Sequence, residues 1–214
     1  MATLVEAPCL RREEVVALTP EQVQALLTAM PGGRWEPLIT VALATGVRIG
    51  EVLGLKWGGV DLAAGAIRVQ RQLGQDGTFS EPKSAKGRRT IDLPTSCVAV
   101  LKEHKRQQNG ARLLVGPDWQ HHDLVFCTHA GRPLSQRNVL RAFKFLLRRG
   151  GLPDVPFHPL CHTHATLLLA QNVHPKVVQE RLGHATIAMT LDIYSAYIPS
   201  MGRVAADKLD ALLA

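Results

Sequence analysis

No run of 18 apolar residues occurs in this 214-residue chain, and a bilayer-spanning helix needs about 20. The first sixteen residues carry acids at Glu6, Glu13 and Glu14 and lack an apolar stretch long enough for a signal peptide. Four cysteines, Cys9, Cys97, Cys127 and Cys161, are scattered without a CxxC pair, so neither a disulfide framework nor a zinc knuckle is spelled out. These absences place the protein in the cytoplasm, without a membrane partner. Aromatic residues make up 5% of the chain, and Tyr194 and Tyr197 are its two tyrosines. A phenol nucleophile would therefore have only these two candidates. Acids are also the minority charge: 18 against 25 basic residues, a formal net charge of +7. With arginine outnumbering lysine, that balance favours a polyanionic partner such as nucleic acid, although a basic surface also serves simple solubility.

What is present is a globular composition, 46% hydrophobic, in a chain long enough for one domain with a sizeable core. Residues 1–18 show little apolar periodicity and read as a tail or linker. At Thr19-Pro20-Glu21-Gln22 the sequence predicts a helix start, with Thr19 as N-cap, Pro20 in the first turn and Gln22 closing a capping box. Val23, Leu26, Leu27 and Met30 then repeat at helical spacing. A second helix is predicted from about Trp35 to Ala44, ending at Thr45-Gly46, and a third from near Arg48. Ile67, Val69 and Leu73 alternate with polar residues as in a half-buried strand. Asp76-Gly77 suits a hairpin turn, Pro82 confines the returning strand to an edge, and Arg89 to Leu93 forms a third short strand. Helix returns from Thr95 to about Asn109, and residues 110–134 read mostly as loop. Ser135 opens a further helix that ends at Gly150-Gly151, and four more helical stretches follow, at about 160–171, 175–182, 186–196 and 200–213. The fold class is α+β, mostly α: a helical domain over residues 19–214 with a small three-stranded antiparallel sheet.

Four segments carry chemistry-bearing residues. In Ala44-Thr45-Gly46-Val47-Arg48-Ile49-Gly50-Glu51 an arginine heads a helix, where the helix dipole already favours an anion. Glu51, three residues on, can hold the guanidinium; an ordinary surface ion pair has the same spacing. Pro82-Lys83-Ser84-Ala85-Lys86-Gly87-Arg88-Arg89 puts four cations within seven residues on a hairpin, suited either to a phosphate backbone or to plain solvation. His158, Cys161, His162 and His164 crowd seven residues. Zinc is conceivable there, but no second cluster completes a ligand set and Pro159 suits a helix start, so no metal is assigned. Finally, residues 177–194 read as helix, glycine turn and helix. A helix-turn-helix reader has that outline, yet the second helix offers Thr186, Ala188 and Met189 where base-reading side chains belong, and delivers Tyr194 instead.

Taken in order, these segments resemble the tyrosine recombinase (phage integrase) family. ATGVRIGEVLGLKWGGVDL is similar to its first arginine box and EPKSAKGRRTIDLP to its lysine hairpin. HPLCHTHATLLL is similar to its second box and LGHATIAMTLDIY to its histidine–tyrosine box. The resemblance runs from about Leu18 to Tyr197. It implies that Arg48 binds the scissile phosphate with Glu51 in support, and that Lys83 protonates the leaving oxygen, with Lys86 close enough to share that assignment. It implies further that His158 and His184 contact the phosphate and that Tyr194 is the nucleophile, while Lys86, Arg88 and Arg89 line DNA. Tyr197 falls outside the pattern. The resemblance implies double-stranded DNA as partner, no cofactor, and a monomer without DNA that forms a homotetramer on paired sites. The family's N-terminal DNA-clamping domain has no counterpart here, so residues 1–18 would be its linker.

One position departs from the pattern. The second box of the family ends in arginine, and here that position is Cys161. An arginine that stabilises a phosphoryl transition state contributes on the order of 10³–10⁵ in rate, and cysteine offers no charge. Two expectations therefore stand side by side: a site-specific recombinase that cleaves and rejoins DNA with impaired efficiency, or a catalytically inactive DNA-binding protein on the same scaffold. Arg181 and Arg141 are candidate substitutes for the missing cation.

Overall fold

A computed structural model describes residues 17–30, 32–82, 85–191, 209, 210 and 213. Lys83, Tyr194 and Tyr197 lie outside the described residues, as do the 192–196 portion of one expected helix and most of the expected 200–213 helix.

The first helix, α1 (Pro20–Thr28), begins with the expected box: the Thr19 hydroxyl accepts from Gln22 N at 3.2 Å, and the Gln22 side chain accepts from Thr19 N at 2.9 Å. The preceding residue is part of the core rather than a tail. Leu18 is buried, and its N–H donates to the Thr163 hydroxyl at 2.9 Å, 145 residues away. Helix α2 (Glu36–Thr45) is apolar over most of its surface and packs against α4 (Thr95–Val115) and α6 (Pro159–Ala170). Leu38, Ile39, Val41 and Ala42 are all buried, and Glu36, Thr40 and Ala44 make up its narrow half-buried stripe.

Helix α3 (Ile49–Gly54) follows, and after it the chain enters its strands. The three-stranded antiparallel sheet joins β1 (Val60–Asp61), β2 (Ala66–Val69) and β5 (Arg89–Asp92) in that order. Its register pairs Val60 with Ile67, Ile67 with Ile91, and Val69 with Arg89. The expected strand through Leu73 is interrupted. Its end, β3 (Gln72–Leu73), pairs with β4 (Phe79–Ser80) in a separate two-stranded ribbon. Arg71 marks the break: its Nε donates to Gly54 O at 2.8 Å while its guanidinium lies 4.1 Å over the Phe79 ring. Anchoring this side chain to α3 and β4 turns the backbone out of the first sheet.

Helix α4 also differs from expectation, running to Val115 instead of Asn109. Lys105 to Gln108 and Ala111 to Leu114 are strong helix formers, and one interior glycine, Gly110, costs only about 1 kcal/mol. Beyond it, α5 (Gln136–Arg149) and α7 (Pro175–Leu182) fall where the periodicity puts them, and residues 187–191 are helical. Most buried side chains form one core, and a smaller cluster of Cys161, Ala165, Leu169, Val178 and Leu182 sits between α6 and α7. Among the described residues no helix is long and apolar enough to cross a membrane.

The link from α2 to Arg48 depends on Gly46, which has φ +66°. A Cβ there would meet the His164 ring at 2.8 Å and would run into the Leu182 side chain. Gly46→Ala therefore combines left-handed backbone strain with overpacking. We expect it to lower stability by on the order of 2–4 kcal/mol in urea unfolding; an unchanged midpoint would contradict this packing.

Candidate active site

Glu51 organises the site. It projects from the first turn of α3 and is buried, its side chain 2% exposed. A carboxylate taken out of water must be compensated, and four donors surround this one. The Arg48 backbone N–H reaches Oε2 at 3.0 Å and Arg48 Nη1 reaches Oε1 at 3.0 Å. From β5, Arg89 donates to both oxygens, through Nη1 at 3.3 Å and Nη2 at 2.9 Å. Burial pushes the Glu51 pKa up, but the hydrogen bonds and charges of Arg89 and Arg48 outweigh it and hold the carboxyl below its ordinary range.

The two arginines differ in exposure. The Arg48 side chain is 39% exposed and thus available to an anion, whereas that of Arg89 is 7% exposed. Arg89 was expected on the outward, DNA-facing side of the hairpin, and the structure corrects this. Its Nε donates to Arg181 O at 2.6 Å and its Nη1 to Gly87 O at 3.1 Å, so its donors are spent inside the fold. The signal was available in β5, where Arg89 shares a face with the buried Ile91. Arg88 points outward and pairs with Glu81, while Lys86 Nζ donates to Ala185 O at 2.7 Å and ties the hairpin to the segment after α7.

That segment carries His184. Helix α7 ends on Gly183 at φ +66°, where a Cβ would lie 2.9 Å from both Arg89 Nη1 and Lys86 O. Only a residue without a side chain lets His184 follow so close to the hairpin. His184 is buried and its Nδ1 lies 3.0 Å from the Thr190 hydroxyl. Burial, followed by Arg48, His162, Arg89 and His158, lowers its pKa to about 4.

Helix α6 supplies the opposite side. His158 is its exposed N-cap, and burial of part of the ring, with Arg48 nearby, lowers its pKa. His162, one turn on, stands with its Nε2 3.1 Å from His158 Nε2. Its pKa falls to about 4 through burial and the neighbouring His158. Cys161 is buried between them in sequence, with its thiol pushed up to about 11 chiefly by burial. Arg48, Glu51 and Arg89 all act on it electrostatically. The thiol is therefore neutral near pH 7.

Neither candidate substitute reaches this place. The guanidinium of Arg181 is committed to the Ala44 carbonyl at 3.3 Å and the Asp92 carbonyl at 3.1 Å. Arg141 bonds Asn138 on its own helix and lines a cavity beside α1 and α5. His164, the third histidine of its segment, is a core residue. Its Nδ1–H donates to Leu43 O at 2.9 Å, and burial, then Arg181, lowers its pKa to about 4. No group of three or more His, Cys, Asp or Glu able to hold a metal occurs among the described residues. Sequence reading missed the Arg89–Glu51 pair and the His158–His162 contact; the i, i+4 spacing of the two histidines was the available clue to the second.

Two consequences can be measured. Glu51→Gln keeps the shape of the side chain but leaves the buried Arg89 guanidinium uncompensated, so stability should fall by about 3–5 kcal/mol in urea unfolding. An unchanged midpoint would contradict the central role of the carboxylate. Second, His162, His164 and His184 resist protonation in the fold, with pKa values of about 4 against an ordinary 6.5. The unfolded chain binds protons first, so their stabilising contribution is complete above about pH 6.5 and is lost as pH falls from there through about 4. A urea midpoint that stays flat between pH 7 and 4.5 would contradict these burial effects.

Comparison with known proteins adds to this geometry. Residues 17–199 match the model of the phage integrase family. A tyrosine recombinase XerC-like protein from Caldanaerobacter subterraneus subsp. tengcongensis is 33% identical, the match covering 93% of this chain and 55% of that protein. An integrase from Streptomyces ambofaciens is also 33% identical, over 92% of this chain and 53% of its own length. The chain thus spans about half the length of these curated relatives. Among solved structures, the Tn1549 transposon integrase in complex with transposon right-end DNA aligns with a TM-score of 0.78 at 24% identity, covering 95% of this chain and 68% of that one. The XerA recombinase aligns with a TM-score of 0.71 at 23% identity, over 92% and 65%. At these identities the structural likeness speaks for the fold alone, whereas the family match extends over most of the sequence. The chain belongs to the phage integrase family, the tyrosine recombinases.

Proposed function

We propose that this chain is the catalytic domain of a site-specific DNA recombinase that cleaves and rejoins strands through a 3′-phosphotyrosyl intermediate at Tyr194. The observation that carries this reading is the half-exposed Arg48, clamped by buried Glu51 and neighboured by His158 and His184. A guanidinium fixed by its own carboxylate keeps donors free for a phosphodiester and has less freedom to lose on binding one. The N-terminus of α6 adds a positive dipole end beside His158.

In this reading the Tyr194 oxygen gives up its proton to a nearby base and attacks the scissile phosphorus, the P–O5′ bond breaks, and Lys83 or Lys86 gives a proton to the departing 5′-oxygen, which leaves as a hydroxyl. Energy kept in the phosphotyrosyl bond allows rejoining without ATP. A phenol of pKa near 10 is only about one part in a thousand ionised at pH 7, an expense of roughly 4 kcal/mol that a nearby base or cation must lower. Arg48 and the imidazole donors of His158 and His184 stabilise charge on the phosphate oxygens, and no cofactor is assigned. Cys161 leaves this group one cation short, so cleavage is slow. In the second reading that shortfall is complete and the chain binds DNA without cutting it. Either way the partner is double-stranded DNA, on which recombinase assembly is a homotetramer built from monomers.

The test is a phosphotyrosyl trap with a nicked duplex. We expect a covalent protein–DNA adduct that disappears in Tyr194→Phe. An adduct that persists would transfer the role to Tyr197 or another nucleophile, and binding with no adduct would favour the second reading. For the interface, neutralising Lys86 and Arg88 together should flatten the salt dependence of DNA affinity by about two units of slope at most. No change would remove the hairpin from the interface.

A further inference from the structure

The two imidazoles at the start of α6 set each other a hydrogen-bonding constraint. His158 Nε2 and His162 Nε2 are 3.1 Å apart, with ring centroids 4.7 Å apart and planes at 70°. At that distance one nitrogen must carry the hydrogen and the other must accept it. Two N–H groups would collide, and two lone pairs would repel.

The remaining nitrogen of His162 decides which way the bond runs. Its Nδ1 is buried and has no hydrogen-bond partner among the described residues. Were His158 the donor, His162 would accept at Nε2 and carry its own hydrogen on Nδ1, leaving an N–H buried without an acceptor. With His162 as donor, Nδ1 holds only a lone pair. Orphaned buried N–H groups are rarer in folded proteins than under-satisfied acceptors, so the second arrangement is favoured. Charging His162 would also place a hydrogen on the buried Nδ1, in keeping with its resistance to protonation.

We infer that His162 is a positioning residue: its Nε2–H donates to His158 Nε2 and thereby fixes the His158 hydrogen on Nδ1. The far side of the His158 ring then presents a donor. This inference rests on the reading of the Arg48 site as a phosphate site, where that donor would meet a phosphate oxygen. The surrounding groups support a neutral donor over a charged one. Arg48 faces His158 from α3 and opposes a second proton on it, and His184 lies beyond α7 as a neutral imidazole. Cys161 on the same helix is an uncharged thiol, and Glu51 is already engaged by Arg48 and Arg89. With no cation from Cys161, the orientation of a neutral donor carries more of the site's hydrogen bonding.

The tautomers can be read directly on the intact chain, without DNA, from long-range proton–nitrogen correlation spectra of 15N-histidine protein at pH 7.5. Signals are assigned with His158→Gln and His162→Gln. The expected result is an Nδ1–H tautomer for His158 and an Nε2–H tautomer for His162. In His162→Ala the His158 tautomer should become mixed, whereas His162→Gln, whose amide donates at similar reach, should retain it. Affinity for duplex DNA should fall by about tenfold in His162→Ala and recover in His162→Gln. An Nε2–H tautomer for His158 in the unmodified protein, or an Nδ1–H tautomer unchanged in His162→Ala, would overturn the inference. Absence of DNA binding by the unmodified protein would instead overturn the functional reading and leave the tautomer result standing.

Discussion

A single buried carboxylate ties the candidate active site of this domain together. Glu51 sits where three parts of the chain meet. It accepts from Arg48 at the head of its own helix and from Arg89 on β5, and Arg89 in turn reaches the end of α7 through the Arg181 carbonyl. An isolated carboxylate in that place would cost several kcal/mol, so its partners are obligatory and the three elements keep their mutual positions. Arg48 is oriented as a by-product of satisfying Glu51. The position of the hairpin, and through Lys86 and Gly183 that of His184, follows from the same demand.

Two guanidiniums against one carboxylate leave a single positive charge, and only Arg48 presents it to solvent. Around it the structure places groups that stay neutral near pH 7: His162 and His184, whose pKa values burial drives to about 4, and Cys161, whose thiol burial drives to about 11. The site is therefore rich in hydrogen-bonding capacity and poor in charge. A neutral donor placed at the right distance can stabilise a developing oxyanion, but the resemblance of HPLCHTHATLLL to the family's second box implies a second guanidinium where Cys161 stands. Arg181 lies close in sequence to His184 yet spends its donors on the carbonyls that end α2 and β5.

Much of this arrangement was legible in the sequence because it rests on local rules. The Thr19–Gln22 box, the glycine after α2 and the boundaries of α7 follow from capping and turn chemistry that act within a few residues. The four boxes, read in order, pointed to the family that the comparisons show. Other features depend on contacts distant in sequence and were not legible. Arg89 looked like one of four hairpin cations until Glu51, 38 residues away, drew it inward. The break between β2 and β3 depends on Arg71 finding Gly54 and Phe79, which no alternation of polar and apolar residues reveals. Helix α4 outruns its expected end at Asn109 because the residues on either side of Gly110 favour helix strongly enough to absorb it.

We propose that this site binds a phosphodiester and lacks one charge. The most direct measurement compares the rate of covalent adduct formation on a nicked duplex by the unmodified chain and by Cys161→Arg, each normalised to folded protein because the new side chain enters a buried position. A gain on the order of 10³-fold or more is expected in Cys161→Arg, with adduct still dependent on Tyr194. A folded Cys161→Arg protein that binds DNA but cleaves no faster than the unmodified chain would contradict this proposal.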